Sequence, residues 1–341
     1  MTWFADGAAS WGAAVPLKEG DSLPFYQWTA GSLLDQVDPA TAWQPQARVM
    51  TLQLAGEEVV AGGGAAGVSA VSSGRSQRAQ VASRAGGGTK GWLVEACGDP
   101  AVHVVVTAEK DQVFAYAVDQ TAGLTLNALG SASVPGESDT PALAWARADG
   151  STGLLVLRKG TPASLVTRFR VTTAGLAEEA SVTVDGLEVK NSGALAWGPD
   201  GLRAAVPTSQ GAIVVLRAEE TPLTWEMVPL EVEAVKVGGV VAVVGNGQEP
   251  TWIAGMENGA VYAVRGATVL PGFPVQLGTP LKHPPALVAS GADGMAAVFV
   301  GGDATGWSIH RLELELPRSG LTVSWPEYQA DRRNSGCLPL P

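Results

Sequence analysis

The stretch Pro141-Ala-Leu-Ala-Trp-Ala-Arg-Ala-Asp-Gly150 decides the reading of this chain, because it recurs. It aligns without a gap on Pro285-Ala-Leu-Val-Ala-Ser-Gly-Ala-Asp-Gly294 and, one residue shorter, on Gly193-Ala-Leu-Ala-Trp-Gly-Pro-Asp-Gly201. Each copy is a short apolar strand closed by Asp-Gly, a pair suited to a hairpin turn with positive φ. A second apolar strand follows in each case: Leu154–Leu157, Ala204–Val206 and Ala296–Val300. Weaker copies begin near Gly91, Gly239 and Ala47. The starts near 47, 91, 141, 193, 239 and 285 recur every 44 to 52 residues. A third strand appears at Val113–Tyr116, Ala212–Leu216 and Ala260–Val264, and a fourth is expected within Leu223–Leu230 and Val269–Leu277. Four short strands per unit of this length describe one blade of a β-propeller.

The N-terminus supplies a further copy. Asp6-Gly7 followed by Ala13–Pro16 mirrors Asp200-Gly201 followed by Ala204–Pro207. The expectation is therefore an all-β chain, a seven-bladed β-propeller of four-stranded antiparallel blades, with six blades as the alternative. The propeller spans residues 1–324, with blades starting near 1, 47, 91, 141, 193, 239 and 285, and residues 325–341 form a C-terminal tail. Only five residues precede Asp6, so the first strand is either shortened or begins upstream of Met1, where an export signal could have been removed. The first reading places the protein in the cytoplasm, the second outside it. Helical periodicity is nearly absent from the chain.

Composition bounds the function. The 341 residues carry a net charge of −11, with 46% apolar and 16% charged residues. That is enough apolar matter for a large core, which excludes disorder. The acid excess argues against nucleic acid and anionic membrane as partners, since both select a basic face. The longest apolar run, Gly238–Gly245, falls far short of the roughly 20 residues of a membrane helix, so direct membrane insertion is not expected. Two cysteines, Cys97 and Cys337, are too few for a disulfide framework or a zinc site. They are either one buried and one tail thiol or a single clasp formed in an oxidising compartment.

The segments Asn258–Ala263, Leu270-Pro-Gly-Phe-Pro274, Pro285–Gly294 and the tail Trp325–Cys337 resemble bacterial secreted propellers of the FG-GAP/VCBS type, which are similar to the integrin α-chain head. The resemblance implies architecture and secretion, not an activity. Family members often hold calcium in Asp-x-Asp-x-Asp-Gly loops, but here Asp6, Asp149, Asp200 and Asp293 alone remain. Calcium takes roughly six to eight oxygen ligands, so calcium is not expected to bind, and Asp-Gly reads as a turn.

No other motif points to catalysis. His103, His283 and His310 lie in different repeats without ligand spacing. Glu57-Glu58, Glu178-Glu179 and Glu219-Glu220 are adjacent pairs, which on a strand face opposite ways. The basic stretch Gly74–Lys90 reads as an exposed linker, and Gly62-Gly-Gly and Gly86-Gly-Gly as turns, because neither continues into a phosphate loop. Trp145 and Trp197 hold the same repeat position and are expected in the core. No catalytic, cofactor or metal residue is expected.

The function implied is a non-enzymatic, protein-binding or scaffold subunit of a larger extracytoplasmic assembly, with other protein subunits as partners. A carbohydrate-binding or carbohydrate-cleaving propeller is the alternative. The two chain ends are expected to share a blade. The tail from Trp325 is expected as a coil anchored by Trp325 and Tyr328, reaching from Cys337 toward Cys97.

Overall fold

The computed structural model describes residues 2–5, 10–14, 25–29, 35–36, 49–54, 57–64, 67–72, 78–82, 92–97, 103–109, 111–136, 140–160, 163–189, 191–230, 235–245, 248–290, 294–303, 306–314, 321–325 and 337–340. Among these every regular element is a strand, and there is no helix. The chain divides into two compact units. One holds residues 1–154, 169–179 and 332–340, and the other holds 155–168, 180–331 and 341.

In the first unit, β1 (Thr2–Ala5), β2 (Ser10–Ala14), β3 (Phe25–Thr29) and β4 (Asp35–Gln36) form an antiparallel sheet in chain order. So do β5 (Val49–Leu54), β6 (Glu57–Gly64), β7 (Gly67–Ser72) and β8 (Arg78–Ala82), and then β9 (Leu93–Ala96), β10 (His103–Glu109), β11 (Gln112–Asp119) and β12 (Thr125–Ser133). The second and third sheets pack face to face through Met50, Leu52, Val68, Phe114, Tyr116 and Leu126. The next sheet begins with β13 (Leu143–Ala146) and continues through β14 (Thr152–Arg158), β15 (Ala163–Thr172) and β16 (Gly175–Asp185), strands through which the division between the units passes.

The second unit holds β17 (Ala194–Gly198), β18 (Gly201–Pro207), β19 (Ala212–Arg217) and β20 (Thr224–Pro229) as one sheet. A further sheet comprises β21 (Val237–Gly245), β22 (Thr251–Met256), β23 (Ala260–Arg265) and the two-residue strands β24 (Thr268–Val269) and β25 (Val275–Gln276), which both pair with β23. Last come β26 (Ala286–Ser290), β27 (Gly294–Gly302) and β28 (Trp307–Leu314). Val241, Ile253, Val261, Met295, Ala297 and Phe299 join these last two sheets in one core.

The strand sequences explain this layering. Inner strands such as β14 (TGLLVLR) and β22 (TWIAGM) are buried at every residue, as continuous apolar runs on doubly covered strands must be. Outer strands such as β12 and β20 are mostly exposed, with only Leu126 and Val228 buried in them. The Asp149-Gly150 and Asp200-Gly201 pairs turn the chain with φ of 79° and 105° at the glycines, a region that residues with a Cβ rarely occupy.

Three expectations from the sequence need correction. Gly62–Gly64 ends strand β6 rather than forming a turn, because all three residues pair with β7. The Gly74–Lys90 linker contains β8, where Val81 and Ala79 pack on the core. The tail and the N-terminus do not share a sheet among the described residues. Instead Leu321–Trp325 forms β29, antiparallel to β21, and Cys337–Leu338 forms β30, parallel to β13. Trp325 is fully buried there. Both tail strands thus satisfy the free edge of a sheet's first strand, a better destination for backbone polar groups than the open coil the prolines suggested. Tyr328 lies outside the described residues.

Within the second unit, Arg168 on β15 is buried and ties its sheet to the loop after β19. Its Nη1 donates to the carbonyls of Ala218 (2.9 Å) and Glu220 (2.8 Å), and its Nη2 donates to Thr221 Oγ1 (2.6 Å). Arg168→Leu removes all three bonds, leaves the buried Ala218 carbonyl without this donor and is expected to cost about 2–4 kcal/mol. Urea unfolding followed by circular dichroism measures it, and a midpoint equal to that of the wild type contradicts the assignment.

Candidate functional site

A cleft of about 240 Å³ opens in the first unit, at the end of the repeat that decides the fold. Asp149, Gly150, Ser151 and Thr152 form one wall and Arg170, Val171, Thr172 and Thr173 another, with Ala96 and Val104 between. The wall at Asp149 is a locked turn. The Gly150 amide donates to the Arg147 carbonyl (3.0 Å), and the Arg147 amide donates to the Ser151 carbonyl (2.9 Å). Asp149 Oδ1 accepts from the Ser151 amide (2.9 Å) and hydroxyl (2.6 Å). The same aspartate-plus-two device recurs at Asp119 with Thr121.

The charges of the cleft are paired. Arg170 Nη2 lies 2.6 Å from Asp149 Oδ2, and Arg147 makes a two-pronged bond to Glu179, with both contacts at 2.8 Å. Arg147 also lies over the Trp145 ring, 5.5 Å from its centroid. The Ser151 hydroxyl and amide, and then the Arg170 and Arg147 guanidiniums, hold the Asp149 carboxyl below its ordinary value. A carboxyl shifted that way stays ionised at neutral pH, which suits a positioning contact and not proton transfer. A folded pKa below the unfolded one contributes stability present above the unfolded value and lost as pH falls through the folded one. Carbon-13 titration of Asp149 should give a midpoint below that of an ordinary aspartate. Arg170→Ala should raise it, and Ser151→Ala should raise it further.

Beside this cleft the structure joins Cys97 and Cys337 in a disulfide. Cys97 follows β9 directly and Cys337 lies in β30, paired with Ala144 of β13. The Cα atoms stand 6.2 Å apart, within the span a disulfide bridges without backbone movement. One residue pair away, His103 Nδ1 lies 3.3 Å from Glu95 Oε1 across β10 and β9.

The remaining sequence candidates are scattered. His310 Nε2 contacts the hydroxyls of Ser308 (2.7 Å) and Thr279 (2.8 Å) in the second unit, and His283 is exposed. Glu220 is bound by Thr224 and Arg217, while Glu179 is held by Arg147. Trp145 is fully buried and Trp197 partly so. Among the described residues no three His, Cys, Asp or Glu side chains gather as a metal site. Asp6, Asp293 and Gly86–Gly88 lie outside the described residues. The sequence reading missed Arg147 and Arg170, and took Glu179 only as one of an adjacent pair. Arg147 stood in plain view two residues before Asp149, but the partners 21 and 32 residues further on had no signal.

No family model matches the chain. Curated protein sequences give no match either. Solved structures do. Sqt1 from Saccharomyces cerevisiae aligns with 92% of this chain and 83% of its own at a TM-score of 0.60 and 12% identity. Chaetomium thermophilum Sqt1, bound to the N-terminus of the ribosomal protein L10, aligns over 94% of this chain and 86% of its own at 0.58 and 14%. BBS1N in complex with ARL6DN covers 79% of this chain and 82% of its own, at 0.50 and 15% identity. These are β-propellers, and the all-β chain described above shares their fold.

Proposed function

We propose that this chain is a non-enzymatic β-propeller that acts as a protein-binding or scaffold subunit of a larger extracytoplasmic assembly, with repeats of the bacterial FG-GAP/VCBS type. The observation that carries the reading is the state of the cleft: its ionisable groups are spent on one another, with Asp149 held ionised by Ser151, Arg170 and Arg147. A propeller frame with no free acid–base pair in its cleft offers surfaces rather than chemistry. Solved propellers of this fold include one bound to the N-terminus of a ribosomal protein and one in complex with ARL6DN, which supports the same reading. The Cys97–Cys337 disulfide supports export, since such bonds persist in oxidising compartments.

The test is crosslinking of the tagged chain in its native compartment, followed by mass spectrometry. One protein recovered in fixed ratio supports the proposal. Crosslinks spread over many abundant proteins, none in fixed ratio, oppose it. Calcium at millimolar concentration is expected to leave the melting temperature unchanged, because any ligand that binds the native state must raise it; a clear rise contradicts the reading of the Asp-Gly loops. The second reading, a carbohydrate-binding or carbohydrate-cleaving propeller, is favoured by one observation, Trp307 at 70% exposure. A glycan array and a polysaccharide turnover assay separate the two.

A further inference from the structure

The end of the chain is held in two unlike ways. β29 pairs with β21 at four positions and closes on the fully buried Trp325. β30 has two residues, and its ladder is two pairs, Cys337 with Ala144 and Leu338 with Trp145. Two pairs return little against the entropy of ordering the residues that make them. What β30 has and β29 lacks is a covalent hold, the bond from Cys337 to Cys97.

That bond also spans two sheets of the first unit. Cys97 directly follows β9, the edge strand of one sheet, while β30 lies along β13, the first strand of the next. The Leu338 carbonyl oxygen stands 3.7 Å from Cys97 Sγ, so β30 sits against the end of β9 as well as along β13. The same two sheets wall the cleft. Ala96 and Val104 come from β9 and β10, whereas Asp149–Thr152 and Arg170–Thr173 come from the sheet of β13. The disulfide and β30 together therefore brace one wall of the cleft to the other.

We infer that the Cys97–Cys337 bond is a redox latch: once it is reduced, β30 leaves β13 while the sheets stay folded, and the two walls of the cleft are untied. This goes beyond the protein-binding reading and does not depend on it. The co-reactant is a dithiol. One of its thiolates attacks Cys97 Sγ, because Cys97 is partly exposed and Cys337 is buried. The Cys97–Cys337 bond breaks and Cys337 leaves as a thiolate. The second thiolate of the reductant then attacks the reductant's own sulfur in the mixed disulfide and expels Cys97. The dithiol ends as a disulfide, and its two electrons and two protons end on the two cysteines.

β13 keeps its place without β30. All four of its residues are buried, it retains β14 as its other neighbour, and the Trp145 indole packs on Gly153 of that strand. Release of the tail is thus a local opening, of the kind that short and lightly held segments undergo far more often than the whole domain.

The thiol of Cys337 reports the release, since in its seat it is only 5% exposed. The full chain is reduced with dithiothreitol, desalted and pulsed with iodoacetamide, and the synthetic peptide of residues 334–341 serves as the unprotected reference. Cys337 should react within about a hundredfold of the peptide, whereas a chain that opens only by global unfolding would protect it by about 10³-fold or more. Near-ultraviolet circular dichroism should keep its folded signal. Cys97→Ser should expose Cys337 to the same degree with no reductant present. Hydrogen exchange followed by mass spectrometry reads the cleft: peptides covering Leu93–Ala96 and Asp149–Thr152 should exchange at least about twofold faster after reduction. A Cys337 protected beyond about a hundredfold in the reduced chain overturns the inference, because the strand then keeps its seat unaided. Loss of the near-ultraviolet signal on reduction overturns it too, since the bond is then a clasp of the whole fold. Cleft peptides indifferent to reduction overturn the brace.

Discussion

Replacing both Cys97 and Cys337 with serine is expected to lower the stability of the chain by about 3–5 kcal/mol. The bond closes a loop with a sequence separation of 240 residues, so its main effect is on the unfolded ensemble, where it removes conformations from a very long segment. At about 2 cal/mol/K of unfolding entropy per residue, that loss corresponds to a fall in Tm of about 4–7 °C for a chain of this length. The folded state contributes as well. β30 has only two residues, Cys337 and Leu338, and two ladder partners, Ala144 and Trp145. Without the clasp this short strand holds by its ladder and by the burial of Leu338 alone. Calorimetry with and without dithiothreitol checks the result. The wild type should fall to the melting temperature of the double variant on reduction, and the double variant should not respond. A wild type indifferent to reductant contradicts the stabilising role of the bond.

Trp145→Ala is expected to be the most damaging single core substitution, at about 3–5 kcal/mol. Trp145 is fully buried, at 0% exposure, and its indole fills the space beside Gly153, where any Cβ would collide with the ring. The pair therefore behaves as one packing unit. Gly153→Ala in the wild type should cost about 1–3 kcal/mol through overpacking. In the Trp145→Ala background the same change enters an existing cavity and should cost nearly nothing or gain stability. A double-mutant cycle measured by denaturant unfolding reads this coupling directly. Additive effects at the two positions contradict the contact. Arg147, which lies over the same ring, should lose its order in Trp145→Ala and weaken its bond to Glu179.

The strand content of this chain was legible because its signal is local. Leu143–Ala146, Ala194–Gly198 and Ala286–Ser290 carry the same few letters before their turns, and all three are strands. The third-strand segments at 113–116, 212–216 and 260–264 fall within β11, β19 and β23 for the same reason. The fourth-strand reading held at β20 but split at 269–277, where Pro271 and Gly272 interrupt the chain between β24 and β25. The glycine run at 62–64 misled because glycine is read as a turn wherever it clusters. Gly62–Gly64 pairs with Gly67–Ser69 in a tight hairpin instead, where the absence of side chains costs entropy but no contact.

The destination of the tail was not legible. Whether Leu321–Trp325 finds β21 or another edge depends on which sheet edges stand open nearby, a property of the assembled fold and not of the segment. The candidate cleft was legible only in part. The repeat placed Asp149 at a turn, and its neighbours Arg147 and Ser151 came with it. Arg170 and Glu179 arrive from β15 and β16, and no residue spacing announces a partner across strands.

The most direct test of a protein-binding role is the native mass of the chain taken from its own compartment, measured by light scattering coupled to size exclusion. The account predicts a species well above the 34.9 kDa of the single chain, containing a second, different protein in constant ratio across the peak. A single peak at 34.9 kDa, unchanged at every concentration and after mild crosslinking, contradicts it.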